Sequence, residues 1–247
     1  MNIELGGFAW WLLFLAVFWG NLIETIAGFG SVLIALSILL LVNFDIDSAL
    51  AWLVPLNMAL SIWLLTQNFK DVLIRYLFAQ LLPLLLGGFL LGSYFNTILP
   101  PVFLKKIFGS LILLLSLRAF FQQKHTEQPS TRYLRTFWLL LGGIVHGLFS
   151  TGGPMVVYVA SQSNLSKSQF RSTLAALWVI LNGLMISRLI YFNTLNINSL
   201  ITSVSLTPAL ILSIAVGNFL FYRISETYFR KIVYGMLLIA GVLFLIQ

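Results

Sequence analysis

The stretch "NLIETIAGFGSVLIALSILLLV", residues 21–42, sets one carboxylate, Glu24, four residues ahead of a Gly28-Phe29-Gly30-Ser31 break inside an otherwise apolar run. That run extends from residue 8 to residue 42. A helix crossing the hydrocarbon core of a bilayer needs about 20 residues. The run is therefore too long for one crossing and too short for two. Two helical arms that meet within the membrane and turn at the glycines account for its length. Such a turn leaves backbone N–H and C=O groups unpaired, which a bilayer tolerates only where protein or a water-filled cavity satisfies them. Close helix packing would explain the small residues but not the length.

Working outward, the whole chain has the composition of a lipid-solvated protein. It is 60% hydrophobic and only 9% charged, with a mean hydropathy of +0.99, whereas soluble domains are about a quarter charged. Further apolar runs fall at 48–67, 72–95, 101–121, 136–162, 172–192, 198–222 and 229–246. In lipid these are helices, because only a helix pairs its own backbone groups. The 136–162 run repeats the first feature, with "STGGP" (150–154) near its centre. The chain has no cysteine, so disulfides, thiolate nucleophiles and cysteine metal sites are excluded, and no metal or cofactor is expected. The net charge of +7 comes from Lys and Arg lying mostly in short loops. It reads as a topology signal and not as nucleic-acid binding. The N-terminal "MNIELGG" has no basic residue before the apolar run, unlike a cleaved signal peptide, so the first segment reads as part of the mature protein.

The polar stretch "QQKHTEQPSTR" (122–132) divides the chain almost in half, and the halves resemble each other. A shift of 122 puts Glu24 on His146 and Gly30 on Gly152. A shift of 125 puts Asn57 on Asn182, Asn68 on Asn193, Gly92 on Gly217, and Lys106-Ile107 on Lys231-Ile232. This is the transporter pattern of internal repeats. If every run crossed once, Lys and Arg would divide evenly between the two sides. If 8–42 and 136–162 are re-entrant hairpins, one side holds Lys70, Arg75, Arg118, Lys124, Arg132, Arg135, Lys167, Arg171, Arg223, Arg230 and Lys231, and the other only Lys105, Lys106 and Arg188. The second arrangement obeys the positive-inside rule.

The expected fold is therefore an all-α polytopic membrane protein built of two inverted repeats. Residues 1–121 form the first, with hairpin 8–42 and helices 48–67, 72–95 and 101–121. Residues 122–132 form a cytoplasmic linker. Residues 133–247 form the second, with hairpin 136–162 and helices 172–192, 198–222 and 229–246. Both termini are expected outside.

Each break exposes the N-terminus of an outgoing helix, whose free N–H groups and dipole bind anions without a basic side chain. Two hairpins from opposite faces point two such ends at one midplane site. The candidate substrate-binding residues are Gly28, Phe29, Gly30 and Ser31 at the first turn, and Ser150, Thr151, Gly152, Gly153 and Pro154 at the second. Pro154 suits a first helical turn, having no N–H to lose. Asn57 and Asn182 either line this site or bridge helices. Glu24 is either a paired structural residue or a functional one, the default for an intramembrane carboxylate. His146 titrates near neutral pH and occupies the equivalent place, so Glu24 and His146 are the candidates for proton coupling. Arg188, near the end of its run, reads as a snorkelling residue; Trp10, Trp11 and Trp138 lie near run ends and read as packing residues or interfacial anchors.

"ETIAGFGSVLIALSILL" (24–40), "HGLFSTGGPMVVYVA" (146–160) and "VGNFLFYRISETYFRKIVYGMLLIAGVLF" (216–244) resemble the TauE/SafE family of sulfite and organosulfonate exporters, also called toluene sulfonate uptake permeases. The resemblance runs from about residue 8 to 246. It departs at the first break, where the family's glycine run is reduced to Gly-Phe-Gly-Ser, and at Ser150, where glycine is usual. The resemblance implies a multi-pass secondary transporter of small, often sulfur-containing anions in the bacterial inner membrane. No Walker-type phosphate loop is present, so protons are the expected energy source. The expected partners are a small anion, protons and the bilayer, with the chain working alone or as a homodimer. The alternatives are an intramembrane hydrolase, with Ser150 as nucleophile and His146 as base, and an anion channel; an enzyme is not the expected reading.

Overall fold

The computed structural model describes residues 7–100, 131–163 and 165–225, with 102–104, 106, 107, 110 and 228 beside them. Most of the expected helix 101–121, all of 229–246 and nearly all of the linker lie outside the described residues. Among the described residues every regular element is helical.

Helix α1 (Phe8–Ala27) stops where the chain turns left-handed at Gly28 (φ 82°) and Gly30 (φ 107°). Glycine takes that conformation at no steric cost. Helix α2 (Ser31–Leu41) then folds back along α1, so that a Cβ added to Gly20 would lie 3.4 Å from the Ala35 Cβ. Helix α3 (Ile46–Gln67) starts on Asp45, whose carboxylate accepts the Ser48 N–H at 3.1 Å. Helix α4 (Ile74–Ile98) widens over Leu77–Leu81, just ahead of Pro83.

The second run is also a hairpin. Helix α5 (Arg132–Phe149) turns left-handed at Ser150 (φ 56°), and α6 (Gly153–Ala160) returns so that a Cβ on Gly142 would lie 3.1 Å from the Met155 Cβ. A serine in this conformation costs about 1 kcal/mol. Helix α7 (Lys167–Tyr191) opens with a Ser166–Gln169 capping box. Helices α8 (Ile197–Ser205) and α9 (Thr207–Arg223) form one path bent by 42°, where Pro208 supplies no N–H.

The two hairpins are unequal in their arms. The 20 residues of α1 make about 30 Å, a full hydrocarbon thickness, whereas α2 has 11 residues and α6 only 8. Each turn is therefore reached by a long arm and left by a short one.

Interhelical contacts fix the directions. Asn57 meets Asn182 and Asp71 meets Ser168, so α3 and α7 run antiparallel. The Arg135 guanidinium donates to Gln80 Oε1 and Asn96 donates to the Leu148 carbonyl, so α4 and α5 run parallel. Trp10 donates to Ser205 and Gly217 abuts Leu22 and Thr25, so α1 and the α8–α9 path run parallel. Because α2 returns the chain to the side where α1 began and α4 reverses α3, α5 points opposite to α1.

Glycines let the parallel pair α4–α5 approach until backbones touch. A Cβ on Gly88 would fall on the Leu140 carbonyl oxygen, one on Gly92 on that of Ile144, and one on Gly143 on that of Leu85. Small residues four apart are the usual device for this in membranes. The outer faces carry exposed Phe78, Leu90, Ile201, Ile211 and Phe219, while Glu24, Asn57, His146, Arg171 and Asn182 are buried. Apolar outside and polar inside is the pattern of a multi-pass membrane protein, and among the described residues four helices, or five with the bent path, are long and apolar enough to cross.

Candidate functional site

The two turns end their helices in the same way. The Gly28 N–H donates to the Glu24 carbonyl, and the Ser150 N–H to the His146 carbonyl, each at 2.7 Å. This places Glu24 and His146 one turn before their breaks, on arms pointing in opposite directions. A helix end leaves further carbonyls unpaired, and no water in the bilayer core satisfies them. Side chains of α7 and α4 do so. Arg171 Nη1 donates to the Thr25 carbonyl and Arg188 Nη1 to the Gly147 carbonyl, both at 3.1 Å. Trp178 Nε1 donates to the Gly28 carbonyl at 2.8 Å, and Asn96 Nδ2 to that of Leu148 at 3.2 Å.

Two sequence expectations are corrected here. Arg188 does not snorkel to the surface; it turns inward to Gly147 and to Asn96 Oδ1, because the orphan carbonyl at a helix end attracts a fixed cation. Arg171, counted above as a loop charge, lies inside α7 with 0% exposure. Its guanidinium sits 3.3 Å over the Phe221 ring, a favourable place for a desolvated cation.

Between the turns runs a continuous hydrogen-bonded chain. Glu24 Oε2 accepts the Ser31 N–H at 2.9 Å and the Asn57 Nδ2 at 2.8 Å. Asn57 Oδ1 accepts from Asn182 Nδ2, and Asn182 Oδ1 accepts the Ser150 hydroxyl at 3.2 Å. His146 Nε2 lies 3.5 Å from that hydroxyl. With its proton given to Asn182, Ser150 offers His146 a lone pair, so the chain favours the tautomer with hydrogen on Nε2. Every donor then points from His146 toward Glu24. His146 also stacks on Trp178, with centroids 5.7 Å apart and planes inclined by 9°.

A cavity of about 20 Å³ opens between the turns, room for about one water molecule. Its walls are Glu24, Gly30, Val32, Leu33, Asn57, His146, Ser150, Thr151, Gly153, Pro154 and Trp178. Glu24 Oε1, His146 Nδ1 and Thr151 Oγ1 are buried and have no hydrogen-bond partner. No Lys or Arg lines the cavity. Buried polar groups are nearly always paired, so these three can each take a hydrogen bond from or give one to a guest in the cavity, whether a water or another polar group.

The structure brings most of the expected residues together and leaves some apart. Gly30, Ser150, Thr151, Gly153, Pro154, Asn57, Glu24 and His146 line the cavity; Gly28, Phe29, Ser31, Gly152 and Asn182 are not among its walls, though the Ser31 N–H reaches one of them, Glu24. Gly28 and Gly152 shape the turns, and Phe29 packs near Gly153, where an added Cβ would come within 3.1 Å of its ring. Asn57 and Asn182 both bridge helices, and Asn57 lines the site as well. Two residues were missed. Trp178 sits four before Asn182 and so shares its helix face, a signal the sequence carries. Arg171 gave none, because a charge near the end of an apolar run reads first as a boundary. Among the described residues, His146 Nδ1, beside Ser150, has no hydrogen-bond partner, carboxylate or other.

A family model described as sulfite exporter TauE/SafE matches residues 12–244 of the chain. Neither a curated protein nor a solved structure matches it.

Proposed function

Because the chain belongs to the sulfite exporter TauE/SafE family, we propose that it is a proton-coupled secondary transporter of sulfite, organosulfonates or related small carboxylates, with its site between the two helix breaks. The observation that carries this reading is the cavity between the turns, three of whose lining residues, Glu24, His146 and Thr151, each keep a buried polar atom without a partner. The first two belong to the first arms of different hairpins, and the third to the second turn. Gly30, Ser150, Thr151, Gly153 and Pro154 shape the anion's seat, with Gly28, Phe29, Ser31 and Gly152 beside them in the turns. Asn57 and Asn182 tie the two sides together. Glu24 carries the coupling proton, and His146 modulates it through the chain.

Two inverted repeats underlie the site in this reading. Support comes from contacts that recur at the sequence shifts: Gly92 abuts Ile144 and Gly147, and Gly217 abuts Leu22 and Thr25. The protein resides in the bacterial inner membrane with both termini outside. Protonation of Glu24 and anion binding favour each other through Coulomb attraction, strong in a low-dielectric site, and by linkage the two move together.

The test is flux of methanesulfonate into proteoliposomes with and without an imposed pH gradient. The parent protein accumulates the anion toward the alkaline side. Glu24→Gln retains binding and loses gradient-driven accumulation, and His146→Gln shows a smaller loss of the same kind. Accumulation by Glu24→Gln equal to that of the parent rejects Glu24 as the coupling residue.

A further inference from the structure

The helix end best placed to receive a substrate anion already holds an oxyanion, and it is the protein's own. The Ser31 N–H, at the N-terminus of α2, donates to Glu24 Oε2 at 2.9 Å. The same oxygen takes the Asn57 amide at 2.8 Å, while Oε1 is buried without a partner. A carboxylate is thus seated where backbone donors and helix dipole favour negative charge. We propose that Glu24 is a tethered competitor of the substrate: ionised, it occupies the α2 end itself; protonated, it yields the Ser31 N–H to an incoming oxyanion. This rests on the transporter reading above and specifies how the proton and anion are linked at that site.

The charge of the cavity sets the stoichiometry. With Glu24 ionised, the site carries one negative charge and no Lys or Arg to offset it. Adding one proton to Glu24 and one monovalent anion leaves that charge unchanged. A divalent anion would double it in a buried, water-poor space, where unpaired charge is costly. The site therefore takes monoanions, one with each proton. The ionisable groups near Glu24 are His146 on α5, at the far end of the hydrogen-bonded chain, and Arg171 of α7, bonded to the Thr25 carbonyl. Helices α2, α3 and α6 put no ionisable side chain into the cavity wall, and α9 meets α1 through Gly217, with Tyr222 lying beside Arg171.

The test is calorimetric binding of methanesulfonate and of sulfate to the purified full chain at pH 6 and pH 8. The parent should bind methanesulfonate about tenfold or more tightly at pH 6 than at pH 8, since one linked proton allows up to tenfold per unit. Sulfate should bind about tenfold more weakly than methanesulfonate at pH 6. Glu24→Ala clears the helix end, so it should bind methanesulfonate at pH 8 about tenfold more tightly than the parent does, with affinity nearly independent of pH. Glu24→Gln, which keeps the side-chain volume, should lose the pH dependence and serves if Glu24→Ala does not fold. Methanesulfonate binding that keeps the parent's pH dependence in either variant overturns the proposal, as does sulfate binding equal to methanesulfonate. Parent binding of methanesulfonate that is equal at the two pH values overturns this proposal and leaves the transporter reading standing. No binding of either anion by the parent overturns both.

Discussion

At the scale of single residues, the Asn57–Asn182 pair is the joint on which the site turns. Each amide serves two partners: Asn57 gives to Glu24 and takes from Asn182, and Asn182 gives to Asn57 and takes from Ser150. Asn182→Leu orphans Asn57 Oδ1 and the Ser150 hydroxyl, and a buried unsatisfied group costs about 1–3 kcal/mol. The variant should melt at lower temperature in detergent. The double variant Asn57→Leu with Asn182→Leu should lose less than the two single losses combined, because the second change removes a group the first left stranded. Simple additivity would show that the amides do not act as a pair. Thr151→Val is the cleanest probe of the cavity. It removes only a hydroxyl that bonds nothing else, so anion affinity should fall about tenfold, the worth of one hydrogen bond, while the melting temperature holds.

At the scale of helices, the turns and the glycine contacts respond differently to the same substitution. Gly30→Val meets little steric resistance, since its Cβ would lie 3.4 Å from Ile23 Cγ2, but it forces a branched residue to φ 107°. Gly152→Val drives a side chain onto the Gly142 carbonyl oxygen and pries the second hairpin open. Loss of binding in Gly152→Val therefore reports on α5–α6 packing as much as on the site. Between α4 and α5, Gly143→Ala puts a methyl onto the Leu85 carbonyl oxygen, whereas a Cβ on Gly87 lies 3.9 Å from Leu140 Cδ2. Overpacking costs about 1–3 kcal/mol, and alanine is about 1 kcal/mol better than glycine in a helix. Gly143→Ala should lower the thermal midpoint and Gly87→Ala should leave it unchanged or raise it, measured side by side in one detergent.

At the scale of the whole molecule, the helix directions and the charge distribution point the same way. α5 runs opposite to α1, as two hairpins entering from opposite faces require. With Arg171 and Arg188 withdrawn from the tally as helix-end ligands, the remaining Lys and Arg still favour the side that holds Lys70, Arg75, Arg132 and Arg135. Reporter fusions at Gln128 and at Gln247 should therefore fall on opposite sides of the membrane, with Gln128 cytoplasmic. The same side for both would refute the odd number of crossings in the second half, and with it the inverted hairpin arrangement.

The sequence by itself determined the class of molecule and the two breaks. Length and hydropathy leave lipid as the only solvent, and backbone satisfaction in lipid leaves helices as the only spans, both local consequences of composition. The breaks were legible because Gly28-Phe29-Gly30 and Ser150-Thr151-Gly152-Gly153 interrupt runs of the wrong length for whole crossings. The pairing of Glu24 with His146 was legible as a matching shift. What lay between them was not. That the Ser31 N–H is filled by Glu24, that Asn57 touches Asn182 across 125 positions, and that Arg171 and Arg188 both reach back to helix ends were decided by tertiary structure. Sequence spacing orders groups along one helix, where neighbours three and four apart must meet. It carries no such rule between helices, whose contacts follow from which glycine lets which backbones touch and which orphan carbonyl then needs a donor.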